Sequence, residues 1–196
     1  MRLLLGWGAL SVVLALALEG LARDGAEAFL AEGALLENAQ LVLLAGSGLL
    51  LAQAARARSS ASLGLLAVLP WMALVRELDG WFDQAWHGAW KLPFAALLLP
   101  WALAAWRMRS RVSAELGARL QERASGLILA GAWTVLIASR LLGQQRIWSS
   151  ALGEQYLRVV PRGVEELCEL VGYLLLALGA LDFAFGRSVG QRAWAP

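Results

Sequence analysis

The sequence predicts an all-α polytopic membrane protein with six transmembrane helices. Of its 196 residues, 59% are hydrophobic and only 16% are charged, whereas an ordinary soluble domain carries about 25% charged residues. The mean hydropathy is +0.60. Apolar runs of about 20 residues, the length that crosses a bilayer, alternate with short charged segments. The chain therefore has room for six helices with short loops, and we expect residues 1–196 to form a single transmembrane domain.

Each predicted helix is an apolar run bounded by charged residues or by a breaker. The predicted helices span approximately residues 3–22, 36–55, 63–76, 92–106, 124–142 and 164–185. The first run also fits the hydrophobic region of a signal peptide, but we interpret it as the first transmembrane helix. Pro70 lies inside the third helix and Pro100 inside the fourth, and proline removes a backbone hydrogen bond and favours a kink.

The segments between these runs are more polar. Residues 26–36 are predicted to lie at the membrane interface or to extend a helix, because their apolar and acidic side chains separate onto two sides. Residues 112–123 read as a solvated helical connector. Residues 143–163 are predicted to be a polar loop that ends at the breaker Pro161-Arg162-Gly163.

Arginine bias predicts the orientation of the helices. With the N-terminus inside, the inner segments carry ten arginines and three carboxylates, and the outer segments carry seven Lys or Arg residues and twelve carboxylates. Cytoplasmic loops are enriched in positive charge. We therefore expect a multi-pass protein of the cell inner membrane of a bacterium, with both termini in the cytoplasm and an acidic periplasmic side.

The segment 76–91 is the most polar part of the outer side. It contains the only histidine and the only lysine of the chain, three carboxylates and three tryptophans. Trp81, Trp86 and Trp90 are expected to anchor the chain at the membrane interface, as tryptophan commonly does. The outer ends of the second, third and sixth helices all carry acidic or amide side chains. We predict that they converge on one ligand-binding site formed by Glu37, Gln40, Arg76, Glu77, Asp79, His87, Lys91, Glu166 and Glu169.

Several kinds of chemistry have no support in the sequence. One cysteine and one histidine cannot supply the usual ligand sets of zinc, haem or iron–sulfur centres, and no cofactor is expected. A carboxylate-rich site with one imidazole could hold a divalent cation through oxygen ligands, but no spacing is diagnostic, and the metal question stays open. The arginines are scattered, so no nucleic-acid partner is expected.

Three functions fit this pattern. The leading hypothesis is that the outer site binds or transports a cation, a proton or a polar ligand, because ionisable residues at membrane depth are often functional. A second is an accessory or structural subunit of a larger membrane complex, in which the bilayer and a membrane-protein partner or a further copy are the contacts. A third is a membrane enzyme that acts on a lipid headgroup, with His87 working beside Glu77, Asp79 or Asp83.

Overall fold

The computed structural model describes residues 35–186 continuously. It also describes six isolated helical positions nearer the N-terminus, which are Gly8, Ser11, Val12, Ala15, Leu16 and Glu19. Most of the predicted first helix at 3–22 and residues 26–34 of the predicted interfacial segment at 26–36 therefore lie outside the described residues, whereas Leu35 and Leu36 are helical.

Residues 35–186 form helices joined by short turns, and no strand occurs within this range, so the all-α prediction is confirmed. The helices are α1 Leu35–Ala57, α2 Ala61–Leu66, α3 Leu69–Glu77, α4 Asp79–Asp83, α5 Lys91–Arg107, α6 Arg109–Leu120, α7 Arg123–Trp133, α8 Ser139–Leu142, α9 Gln145–Leu152 and α10 Val159–Phe185. A π-helical turn at Thr134–Ala138 joins α7 to α8 in one continuous rod, and a 3-10 turn at Gly153–Gln155 follows α9.

Three of the described helical segments are long and apolar enough to cross a membrane. They are α1 with 23 residues, the α7–α8 rod Arg123–Leu142 with 20 residues and α10 with 27 residues. Their mean hydropathies are 1.5, 1.6 and 1.8, respectively. They match the predicted helices at 36–55, 124–142 and 164–185.

The structure corrects the predicted loop at 143–163. This segment contains α9 and the 3-10 turn, and α10 begins at Val159, ahead of the supposed breaker. Pro161 is the third residue of α10. Proline is tolerated in the first turn of a helix because the N–H it lacks would have no partner there.

The predicted third helix at 63–76 is two helices rather than one kinked helix. The break lies at Ala67 and Val68, ahead of Pro70, which is the second residue of α3. A continuous helix would need an N–H at Pro70 to donate to the carbonyl of Leu66, and proline has none. The predicted fourth helix is α5, which contains 17 residues and keeps Pro100 inside it.

The long helix α10 packs against both α1 and the α7–α8 rod. Glycines allow a close approach: a Cβ atom added at Gly131 would lie 2.6 Å from the carbonyl oxygen of Gly172, and one added at Gly179 would lie 2.9 Å from that of Ala124. The apolar core beside these contacts includes Leu51, Leu63, Ala124, Ile128, Ala180 and Phe183. Small residues such as these glycines favour helix association in membranes, because they let the two backbones come close together.

Polar contacts between the helices collect at the two ends of the bundle. At one end, called the arginine end, the Arg58 guanidinium donates to Glu122 Oε2 at 2.7 Å and to the carbonyl of Phe183 at 2.6 Å. A second ion pair there joins Arg123 to Asp182 at 3.1 Å. Positive side chains at the end of α10 satisfy its last carbonyls and suit its dipole.

Glu115 of α6 caps the start of α2 at the arginine end. Its carboxylate accepts hydrogen bonds from the hydroxyls of Ser60 and Ser62 at 2.6 and 2.7 Å and from the backbone N–H of Ala61 at 3.1 Å. Burial by itself would raise the pKa of Glu115, but these hydrogen bonds outweigh it and lower the pKa to about 2. The carboxylate is therefore ionised at neutral pH and fixes α6 against the α1–α2 turn.

Candidate functional site

A cleft of about 650 Å³ opens at the other end of the bundle, among α1, α3, α4, α8 and α10. We call it the acidic cleft. Its lining residues are Leu36, Glu37, Asn38, Gln40, Leu41, Arg76, Glu77, Leu78, Asp79, Gly80, Trp81, Gln84, Arg140, Arg162, Glu165, Glu166 and Glu169.

The structure brings seven of the nine predicted site residues together in this cleft. They are Glu37, Gln40, Arg76, Glu77, Asp79, Glu166 and Glu169. They come from the start of α1, the end of α3, the start of α4 and the N-terminal half of α10. These segments meet because α1 and α10 begin at this end of the bundle, whereas α3 ends there. The remaining two, His87 and Lys91, do not line the cleft.

His87 belongs to the turn between α4 and α5. Its side chain is 99% exposed, and its Nδ1 atom lies 3.0 Å from Asp83 Oδ2. Asp83 also accepts a 2.7 Å hydrogen bond from the N–H of Gly88, whose φ of +86° is readily adopted by glycine. Lys91 is exposed at the start of α5. These contacts form a turn on the outside of the bundle, so the geometry does not join the imidazole to the cleft carboxylates.

Gln40 of α1 connects this helix to α10 beside the cleft. Its side chain is 1% exposed, and its Nε2 atom donates to both the carbonyl oxygen and the carboxylate of Glu166, each at 3.2 Å. A buried amide needs such partners, because an unpaired one is costly in an apolar core. The contact fixes one carboxylate oxygen of Glu166 at the mouth of the cleft.

Tyr173 positions Glu77 by a similar hydrogen bond. The Tyr173 hydroxyl donates a 2.7 Å hydrogen bond to Glu77 Oε1, and Tyr173 is only 2% exposed. The bond joins the C-terminal residue of α3 to the middle of α10. Among the described residues, Glu77 forms no ion pair, so one buried phenol is its polar partner.

Arg140 forms the third link, between α8 and α10. It makes ion pairs with Glu165 and, at 2.9 Å, with Oε1 of Glu169. The Ser139 hydroxyl lies 3.5 Å from the same oxygen. Arg140 is the second residue after the π-helical turn, and such turns change the direction in which the next side chains point. The Glu169 side chain, only 6% exposed, thus has its counter-ion.

The cleft contains more negative than positive groups. Its described lining includes six carboxylates and three guanidinium groups. Arg76 forms an ion pair with Asp79, and its Cζ atom lies 5.4 Å from the centre of the Trp90 ring. Arg162 is exposed and makes no ion pair within residues 35–186. Neighbouring carboxylates repel one another unless a proton or a cation intervenes. The arrangement can therefore attract a cation, take up a proton or hydrogen-bond a polar solute.

No group of three or more His, Cys, Asp or Glu side chains in the described part of the chain is arranged to hold a metal ion. The cleft carboxylates are instead separated by hydrogen bonds to Gln40, Tyr173 and Arg140.

The charged cleft residues Arg140, Arg162 and Glu165, and Tyr173, which holds Glu77, were not among the predicted ligands. The first three lie near helix ends, where charged side chains often meet the headgroups, so their position alone did not place them among the ligands. Tyr173 gave a usable signal: it lies four residues after Glu169, which places both on one face of α10.

Comparison with protein-family models, with curated proteins and with solved structures finds no match to this chain.

Proposed function

We propose that this protein spans the inner membrane six times, with both termini in the cytoplasm. The three long apolar helices support insertion, and two further segments run between the same two ends of the bundle. One is the pair α2 and α3, and the other is α5, which has no buried residue and exposes Leu92, Leu99 and Leu103. Exposed leucines on a helix with so little polar surface suit contact with lipid. The remaining span, the first predicted helix at 3–22, is a prediction from the sequence alone.

The distribution of charge supports the orientation. The arginine end collects Arg58, Arg119 and Arg123, and the opposite end holds the acidic cleft. Since arginine is retained on the cytoplasmic side of membrane proteins, the acidic cleft opens to the periplasm in this proposal. A solute would enter it from the periplasm.

The function that this geometry supports best is binding or transport of a cation, a proton or a polar ligand through the acidic cleft. One observation carries the proposal: Glu77 and Glu166 face one cleft, each is fixed by a neutral hydrogen-bond donor, and neither has an ion-pair partner among the described residues. A positioned carboxylate without a counter-ion is ready to accept a charged donor from a ligand.

The test uses the full chain purified in detergent and reconstituted in liposomes. Methylammonium serves as a minimal cationic probe, and an enclosed pH-sensitive dye reports proton movement. We expect Glu77→Gln and Glu166→Gln each to weaken methylammonium binding about ten-fold, the effect of losing one charge-assisted hydrogen bond. The control is Glu154→Gln, an exposed carboxylate in the 3-10 turn that does not line the cleft. The proposal fails if the wild type neither binds methylammonium nor moves protons, or if both cleft variants behave like the control.

A further inference from the structure

A second cavity, of about 430 Å³, lies around α4 and the start of α5. We call it the tryptophan groove. It is lined by Trp81, Phe82, Gln84, Ala85, Trp86, Ala89, Leu92 and Pro93. In contrast to the acidic cleft, its lining has no ionisable side chain.

The two cavities adjoin. Trp81 and Gln84 line both of them, so α4 and the residue that follows it form a shared wall. On the groove side, Trp81 packs edge-on against Phe82 with ring centres 5.1 Å apart. Trp86 is 58% exposed and Leu92 is 63% exposed, so apolar surface is available on this side. One molecule that reaches both cavities must therefore be charged at one end and apolar at the other.

The position of the groove suits a lipid chain. Tryptophan is enriched where the headgroups meet the hydrocarbon, because its ring is amphipathic. The groove begins at this level and leads onto α5, whose Leu99 is 69% exposed farther along the helix. An acyl chain in the groove could continue along this apolar face into the bilayer.

The charges of the cleft restrict the headgroup. Within residues 35–186, Glu77 and Glu166 form no ion pair, so their carboxylate oxygens suit a cation, whereas the Arg162 guanidinium, which forms no ion pair there either, suits an anion such as phosphate. A headgroup that carries an ammonium and a phosphate a few bonds apart meets both requirements. A headgroup with phosphate alone would leave both carboxylates without a cation.

We propose that the acidic cleft and the tryptophan groove together bind one aminophospholipid, with its ammonium group at Glu77 and Glu166 and an acyl chain in the groove. This inference rests on the proposed function and names the class of its ligand. The groove supplies apolar contact area, and the cleft selects the ammonium of the headgroup.

The experiment compares three probes on the full chain by native mass spectrometry. Phosphatidylethanolamine carries both features, phosphatidylglycerol of the same chain length lacks the ammonium, and glycerophosphoethanolamine lacks the chains. We expect phosphatidylethanolamine to be retained about ten-fold better than either of the others, since each lacks one of the two contacts. Glu77→Gln should remove the preference over phosphatidylglycerol.

The groove is tested by Trp86→Ala, with Trp133→Ala as the matched control. Trp86 lines only the groove and is 58% exposed, while Trp133 is 57% exposed on α7 and lines neither cavity. We expect the first variant to lower phosphatidylethanolamine retention about ten-fold, the loss that corresponds to removing one large apolar contact, and the control to leave it unchanged. Leu92→Asn, at another exposed groove position, gives a second reading if Trp86→Ala does not fold.

The outcomes separate this inference from the function on which it rests. Equal binding of glycerophosphoethanolamine and phosphatidylethanolamine, with no effect of Trp86→Ala or Leu92→Asn, overturns the lipid assignment and leaves the cleft as a site for soluble amines. Equal binding of all three probes, together with no effect of Glu77→Gln, overturns the lipid assignment, and the proposed function fails with it only if the methylammonium and proton assays also fail.

Discussion

Replacing Gly172 by alanine should separate α10 from the α7–α8 rod. A Cβ atom at this position would lie 2.9 Å from the carbonyl oxygen of Gly131 and 3.2 Å from the backbone nitrogen of Val135, and it would also clash with Val135 Cγ2. The valine methyl group can rotate away, but the backbone atoms cannot. Alanine at 172 therefore requires the two helices to shift relative to each other.

The magnitude follows from the distances. Ordinary contact of a Cβ atom begins at 3.4 Å, so the Gly131 carbonyl oxygen would have to move away by about 0.5 Å, enough to weaken neighbouring packing. Overpacking of this kind costs about 1–3 kcal/mol. Gly172 lies one turn from Glu169, so the same movement would lengthen the 2.9 Å contact between Arg140 and Glu169.

Thermal unfolding of the purified protein in detergent measures the effect. In a chain of this length 1 kcal/mol changes Tm by about 2–4 °C, so we expect Gly172→Ala to lower Tm by several degrees. Gly126→Ala is the control, because no described atom lies within 4 Å of a Cβ at Gly126. It should raise Tm slightly, since alanine favours a helix over glycine by about 1 kcal/mol. If Gly172→Ala is as stable as Gly126→Ala, the close packing described for these helices is incorrect.

Three further predictions concern polar contacts. Arg140→Met should destabilise the protein by about 1–2 kcal/mol because it removes the charge-assisted hydrogen bond that joins α8 to Glu169 of α10. In a double-mutant cycle of unfolding free energies, Arg140→Met should cost less when Glu169→Gln is already present. Tyr173→Phe should cost about 1 kcal/mol and weaken methylammonium binding, because Glu77 loses the donor that positions it; unchanged binding would mean that this contact is structural only. Glu115→Gln should cost about 1–2 kcal/mol at pH 7 through its lost hydrogen bonds. Folding lowers the pKa of Glu115 from 4.5 to about 2, so the stability that its carboxylate contributes is complete above pH 4.5 and fades as pH falls towards 2. In unfolding measurements over a series of pH values, the variant and the wild type should therefore differ least at the most acidic pH.

The sequence by itself determined the helical class and the separation of charge. Run length and hydropathy are local properties, and they located α1, the α7–α8 rod and α10. The alternation of the helices then placed acidic residues at one end and arginines at the other. The sequence was less accurate in predicting where prolines and turns interrupt a helix. It did not predict the interruption at Ala67 or the position of Pro161 inside α10. Such positions depend on which backbone groups find partners once the helices have packed.

The tertiary structure decided which polar side chains meet. Gln40 and Glu166 are 126 residues apart, and Glu77 and Tyr173 are 96 residues apart. Their pairing depends on how each helix is rotated about its axis, and this rotation is set by close contacts such as that between Gly131 and Gly172. The same packing leaves His87 on an outer turn, although the sequence places it only ten residues from Glu77. Nearness along a chain cannot give the direction of a side chain, because that direction is fixed only when helices distant in sequence come into contact.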